Sequence, residues 1–180
     1  MSAGIIVKIG GSLLDSADSV LQELKNSPVP MLLIPGGGVF ADKIRAENLN
    51  DDDAHWAAIR TMNRYGKFLS TYGLKTTETL EFPENGLQIL LPERIMREKD
   101  PLPHSWDVTS DSIALWAAQH LDAGLLLIKS RTGDYTTDSE LVDAYFLTLA
   151  AEKPVKIAVV NGRNLESLAA FLSTGCATLL

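Results

Sequence analysis

The chain has 180 residues, 46% apolar and 22% charged, with three Trp and a formal net charge of −7. That length suits one domain spanning residues 1–180, and the composition is that of a globular protein rather than a disordered or fibrous one. The acidic balance argues against a broad nucleic-acid or anionic-membrane surface, which needs clustered Lys and Arg, so the expected partner is a small molecule.

A lone Cys176 leaves no internal disulfide and no cysteine metal cluster, and the three histidines lack ligand spacing, so no protein-built metal site is expected. Met1-Ser2-Ala3-Gly4 leads directly into a strand pattern, and no long apolar segment follows anywhere. Neither a signal peptide nor a membrane span is expected, which fits a cytoplasmic protein.

Apolar runs of strand length alternate with segments of helical period, the pattern of a mostly parallel sheet covered by helices on both faces. A first strand, Ile5 to Ile9, ends at Gly10-Gly11, and a helix follows from Ala17 to Asn26, with Ser16 or Asp18 as its cap and Pro28 and Pro30 beyond it. The second strand, Met31 to Ile34, meets Gly36-Gly37-Gly38 and then a helix from Val39 to Glu47. Asp51-Asp52-Asp53 reads as the capping cluster of a long helix running through Leu69. After a polar stretch come a third strand, Gln88 to Leu91, and a short helix that ends before Asp100.

The proline-rich segment from Asp100 to Asp107 predicts a loop at the strand-end face. Ser110 and Asp111 open an amphipathic helix that Gly124 breaks, and a strongly apolar strand, Leu125 to Ile128, runs into Lys129. The last unit predicts strand Ile157 to Val160, helix Leu165 to Leu172 and a terminal strand Ala177 to Leu180. The apolar stripe of the helix between Trp56 and Tyr72 suggests a homo-oligomer.

Two glycine turns at strand ends are suited to hold phosphate, because glycine allows close backbone approach and a following helix adds its positive end. Neither is Gly-x-x-x-x-Gly-Lys-Ser/Thr nor the dinucleotide fingerprint Gly-x-Gly-x-x-Gly. Taken singly, either turn reads equally as a tight strand-to-helix connection. Lys8, directly ahead of the first pair, adds a mobile positive charge that can follow a phosphoryl group in transfer. Asp111 at a helix start has two readings from position alone, a first-turn carboxylate favoured by the helix dipole or a functional group.

Val7-Lys8-Ile9-Gly10-Gly11-Ser12, Pro35-Gly36-Gly37-Gly38-Val39-Phe40-Ala41-Asp42 and Thr109-Ser110-Asp111-Ser112-Ile113-Ala114 together resemble the three signature segments of the amino acid kinase family. The ending from Val160-Asn161-Gly162 to Leu180 resembles the family's last unit. The resemblance implies a three-layer αβα sandwich and transfer of the γ-phosphoryl of ATP, with Mg2+, to a carboxylate, carbamate or phosphate. Asp51 to Trp56, His104 to Asp111 and Val142 to Phe146 look most like a short branch that phosphorylates an aminomethylfuran-methyl phosphate to the diphosphate in methanofuran biosynthesis.

By this resemblance Lys8 and Asp111 are catalytic, and Gly10, Gly11, Ser12, Gly36, Gly37, Gly38, Thr109 and Asp107 surround phosphate and acceptor. Asp42 and Arg45 are candidates for the acceptor's amine and phosphate, with exposed surface charge as the alternative. His104, beside Asp107 in a proline-bounded loop, ranks above His55 as a substrate contact; Trp106 either joins it or covers the sheet edge.

Two family features are missing. Lys129-Ser130 stands where Thr-Asp or Ser-Asp is usual, and the Gly-Met-x-x-Lys segment is absent, so the nucleotide lobe is shortened. Lys129, Ser130, Thr132 and Gly133 are therefore expected to meet the nucleotide, with Lys129 replacing the lost charge. The same gaps leave open a small-molecule-binding or regulatory protein of weak or no activity, and the family leaves open an acyl-phosphate-forming amino acid kinase.

Overall fold

The computed structural model describes residues 4–47 and 49–180, with the side chain of Arg45 left out; Met1, Ser2 and Ala3 lie outside it. Six strands form one parallel sheet: β1 (Ile5–Ile9), β2 (Met31–Pro35), β3 (Lys75–Thr77), β4 (Leu87–Leu90), β5 (Gly124–Lys129) and β6 (Ile157–Asn161), in the order β3-β4-β2-β1-β5-β6. The central strands are continuous apolar runs because both of their faces are covered.

Alternate residues separate two cores. Ile5, Val7 and Ile9 of β1 join Leu33 and Leu126 under α1 (Ala17–Lys25) and the C-terminal helices, whereas Ile6, Leu32, Ile34, Leu125 and Leu127 pack under α5 (Ser110–His120) and α6 (Phe146–Glu152). The result is the expected αβα arrangement. A long helix, α3 (Asp51–Ser70), supplies both cores, Tyr65 and Leu69 to the first and Ile59 and Met62 to the second. Its N-cap is Asn50, whose side chain accepts from the Asp53 N–H at 2.9 Å, while Asp51, Asp52 and Asp53 fill the first turn.

The strand expected at the C-terminus is helical. After β6, α7 (Leu165–Ala170) passes through a π turn (Phe171–Gly175) into α8 (Cys176–Leu179). Leu168, Leu172, Cys176 and Leu179 are buried at helical spacing against the first core, so their apolar stripe is satisfied by a helix and not by a strand.

Gly124 does not break α5. The chain leaves that helix at Leu121 and turns through Asp122 at φ +50°, and Gly124 opens β5, where a Cβ would stand 2.4 Å from the Leu179 carbonyl oxygen. β3 is a polar edge strand with no apolar run and so carries no strand signal in the sequence. Among the described residues no helix is long and apolar enough to cross a membrane.

Candidate active site

Parallel strands bring all their C-terminal ends to one side, and the chain order reverses about β1, whose neighbours β2 and β5 leave in opposite directions. The two glycine turns meet there. A Cβ on Gly11 would lie 2.1 Å from the Cα of Gly38, and one on Gly36 would lie 2.9 Å from the Gly11 nitrogen. Gly38, at φ +56°, opens α2 (Gly38–Arg45). The N–H groups of Gly10 and Gly36 are used by the sheet, donating to the carbonyls of Ile128 and Ile9 at 2.9 Å each. The Gly11 amide and those of the first turn of α2, which have no intrahelical acceptor, are not taken up by the sheet in this way.

Strand alternation places Lys8 in phase with Ile6 and Lys129 in phase with Leu125 and Leu127, so both ammonium groups emerge on the α5 face. There they flank one carboxylate. Lys129 donates to Oδ2 of Asp111 at 2.7 Å, and Nζ of Lys8 lies 2.8 Å from Oδ1, close enough for charge pairing but off the direction of a hydrogen bond. Lys8 and Asp111 are only 4% and 5% exposed.

Burial by itself raises the Asp111 carboxyl; the charges of Lys8 and Lys129 outweigh it and hold the group below the usual carboxylate range. Burial first, and then the charge of Lys8, lower Lys129 to about 8. Two cations share one anion in a buried setting, so the cluster carries one uncompensated positive charge. An incoming anion relieves it.

Asp111 is positioned by Asp143, which the sequence marks only as part of the segment Val142 to Phe146 and to which it assigns no role. Asp143 accepts from the Thr109 N–H at 3.0 Å, the Thr109 hydroxyl at 2.9 Å and the Ser112 N–H at 2.9 Å, and also from the Ser112 hydroxyl. This carboxylate closes the N-terminus of α5, so that helix end is not available to a phosphate. Thr109 borders the cavity, but its hydroxyl belongs to Asp143. Only proximity in the fold reveals this cap, because Asp143 is thirty-one residues from Ser112.

A cavity of about 320 Å3 opens beside the glycine turns. Of the expected residues, Gly11, Ser12, Gly37, Gly38, Asp42 and Thr109 line it, together with Ser110, His55 and Trp106 and the apolar side chains Ile59, Met62, Val108 and Ile113. Lys8, Gly10, Gly36, Asp111 and Lys129 stand next to the turns but outside this lining. Ser130, Thr132 and Gly133 lead away from it into a loop where Arg131 pairs with Asp138 and Asp134 accepts from the Thr136 N–H at 2.9 Å. Arg45 falls outside the described side chains. Asp107 fastens the loop through its backbone, accepting from the Tyr145 N–H at 3.0 Å and donating to the Ser105 hydroxyl at 3.1 Å.

Of the two histidines, His55 and not His104 lines the cavity. His104 lies outside the lining, with Nδ1 2.7 Å from Asp52 and Nε2 2.8 Å from Asp100, and these hydrogen bonds raise its pKa. His55 lines the cavity, and burial followed by the charge of His104 lowers its pKa to about 4, so it is neutral. Arg163, also unforeseen, braces the first glycine turn by donating to the Ser12 carbonyl at 3.0 Å.

The donor set fits a nucleotide's phosphates: Gly11 and Gly38 bring their backbones to the cavity wall in contact with each other, and the cationic pair stands beside them. Among the described residues no three His, Cys, Asp or Glu side chains are grouped to hold a metal, so a Mg2+ ion here would be carried mainly by phosphate oxygens and water.

No family model matches the chain. Over 137 residues it is 36% identical to the [5-(aminomethyl)furan-3-yl]methyl phosphate kinase of Methanocaldococcus jannaschii, a match covering 68% of this chain and 63% of that protein. The chain thus spans a little under two thirds of that relative. Among solved structures, uridylate kinase from Archaeoglobus fulgidus superposes with a TM-score of 0.62 at 11% identity, covering 95% of this chain and 96% of that one. UMP kinase from Bacillus anthracis gives 0.60 at 13% identity, with 89% and 87% covered. The chain therefore carries the fold of the amino acid kinase family, as its signature segments led one to expect, and by sequence it is a relative of an archaeal phosphate kinase.

Proposed function

We propose that the protein is an ATP-dependent kinase whose acceptor is a small phosphate monoester, such as [5-(aminomethyl)furan-3-yl]methyl phosphate, the substrate named for its archaeal relative. The observation that carries this is the buried Lys8–Asp111–Lys129 cluster, with its single unmatched positive charge beside two touching glycine turns.

An acceptor phosphate oxygen attacks the γ-phosphorus, the bond to ADP breaks, and the acceptor leaves as a diphosphate. A phosphate monoester is already ionised near neutral pH, so the step needs alignment and charge neutralisation more than a base. Mg2+ bound to ATP would supply further neutralisation. Lys8 would follow the charge as it moves, Asp111 would hold both lysines in place, and the amides of Gly11 and α2 would meet phosphate oxygens without rearrangement. The apolar wall from Ile59, Met62 and Ile113 suits a flat, carbon-rich acceptor body.

The test is ADP formation across a panel of small phosphomonoesters, the aminomethylfuran compound included. An active wild type with a loss of about 100-fold or more in Lys8→Ala supports the proposal; no turnover of any acceptor overturns it. One observation favours a second reading, a binding protein without transfer: Ser130, Thr132 and Gly133 do not line the cavity, and of the expected nucleotide residues it is Lys129 that pairs with Asp111. ATP titration by calorimetry separates the two, since only the kinase must bind ATP.

A further inference from the structure

Arg163 lies just past the end of β6, 151 residues from Ser12, and its guanidinium reaches across to the first glycine turn. Nη2 donates to the Ser12 carbonyl at 3.0 Å. Asp15, farther along the same turn, holds the guanidinium by two parallel bonds, Nη1 to Oδ2 at 3.0 Å and Nη2 to Oδ1 at 3.1 Å. The peptide unit between Ser12 and Leu13 is thereby fixed at both ends, because the Leu13 N–H donates to the Gly10 carbonyl at 3.1 Å. Between these anchors lie Gly11 and Ser12, which line the cavity.

The loop that carries Arg163 is itself tied to the lysine side of the site. The Gly162 N–H donates to the Lys129 carbonyl at 2.8 Å, and the Arg163 N–H donates to Oδ1 of Asn161 at 2.9 Å. A Cβ on Gly162 would stand 2.7 Å from Ile128 and 2.8 Å from Leu13, so the loop packs directly against both the end of β5 and the glycine turn. The side chains of Arg163 and Asp15 are 45% and 65% exposed. An ion pair so open to water contributes little to stability, and its two charges cancel, so what it supplies is geometric constraint.

We propose that Arg163 is a positioning residue for phosphoryl transfer: through Ser12 it fixes the first glycine turn, and through the Gly162–Lys129 contact it keeps that turn in register with the lysine cluster. The inference rests on the kinase reading and adds to it a residue that touches neither substrate. Backbone amides stabilise a phosphoryl group in transfer only while they stay aimed at it, and a displacement on the order of 1 Å is enough to weaken that alignment.

The test measures kcat/KM with ATP and [5-(aminomethyl)furan-3-yl]methyl phosphate, and pyrophosphate affinity by calorimetry, in Arg163→Ala, Asp15→Ala and Arg163→Lys. Arg163→Ala is expected to lower kcat/KM about ten-fold and to weaken pyrophosphate binding by a similar factor, with a melting temperature near that of wild type. Asp15→Ala, which unclamps the guanidinium, should act in the same direction; a guanidinium that merely attracted phosphate would gain from the loss of Asp15. Arg163→Lys, whose ammonium lacks the fork that spans carbonyl and carboxylate together, should recover part of the loss. Should Arg163→Ala not fold, Asp15→Ala carries the comparison. Wild-type values in the folded variants, or a gain in Asp15→Ala, overturn the role of Arg163 and leave the kinase reading intact. If wild type turns over no acceptor, the kinase reading falls and the pyrophosphate affinities decide the role of Arg163; a wild type that also binds no pyrophosphate overturns both.

Discussion

Gly11 and Gly38, twenty-seven positions apart in the chain, stand so close that a single methyl group on Gly11 would sit 2.1 Å from the Cα of Gly38. Two turns are thereby fused into one surface, which neither forms alone. The contact is backbone against backbone, so no side-chain movement relieves an added Cβ. Gly11→Ala should cost about 2 kcal/mol or more in urea unfolding and abolish phosphate binding by parting the turns. A variant with wild-type stability and wild-type ligand affinity would show that the turns are not locked together.

Lys129 should make anion binding pH-dependent in the alkaline range. Its pKa of about 8 in the fold lies below the usual 10.5, so between these values the unfolded chain holds the extra proton. Its contribution to stability therefore rises with pH through that window, while the charge that attracts an anion is lost above about 8. Pyrophosphate affinity, measured by calorimetry, is expected to weaken from pH 7 to pH 9, and Lys129→Gln to flatten the dependence. Asp111 behaves in the opposite range: the stability it contributes is present above the ordinary carboxylate value of 3.8 and is lost as pH falls through its lower value in the fold.

Asp143 holds the N-terminus of α5 and, through it, the position of Asp111. Asp143→Ala leaves the donors of Thr109 and Ser112 to water and should cost about 2 kcal/mol in chemical denaturation. Because the site is affected through position, turnover should fall while the bulk of ATP affinity persists. Asp143→Asn, which retains an acceptor oxygen, should lie between.

His55 and His104 should titrate far apart in a proton NMR titration despite their stacking. Burial and the neighbouring charge keep His55 neutral down to about pH 4, and Asp100 and Asp52 keep His104 protonated above its ordinary range. The linkage has opposite signs: His55 removes stability as pH falls from 6.5 toward 4, whereas the contribution of His104 is complete below 6.5 and is lost as pH rises through its raised value. Replacing Asp52 and Asp100 with Asn should bring His104 back toward 6.5. Coincident titrations would mean that the stack does not form.

Much of the architecture is legible in the chain itself. Buried parallel strands declare themselves as apolar runs, and Ile5 to Ile9, interrupted only by Lys8, and Met31 to Ile34 are such runs, each leading into a glycine turn. What stayed hidden has a physical cause in each case. The short edge strand Lys75–Thr77 faces solvent and so lacks a hydrophobic signature. The ending is helical because the spacing of the buried Leu172, Cys176 and Leu179 outweighs the β-propensity of a few terminal residues.

The site divides in the same way. Local sequence alone determined that two glycine turns and Lys8 would lie at strand ends, because strand period and turn chemistry are properties of neighbouring residues. Which groups then meet was decided by tertiary structure: Lys129 against Asp111, Asp143 on the α5 terminus, and His55 rather than His104 in the cavity wall. Those pairings depend on how strand order and helix packing bring distant backbones together, and the strength of charge and hydrogen bonding depends on burial, which no local pattern encodes.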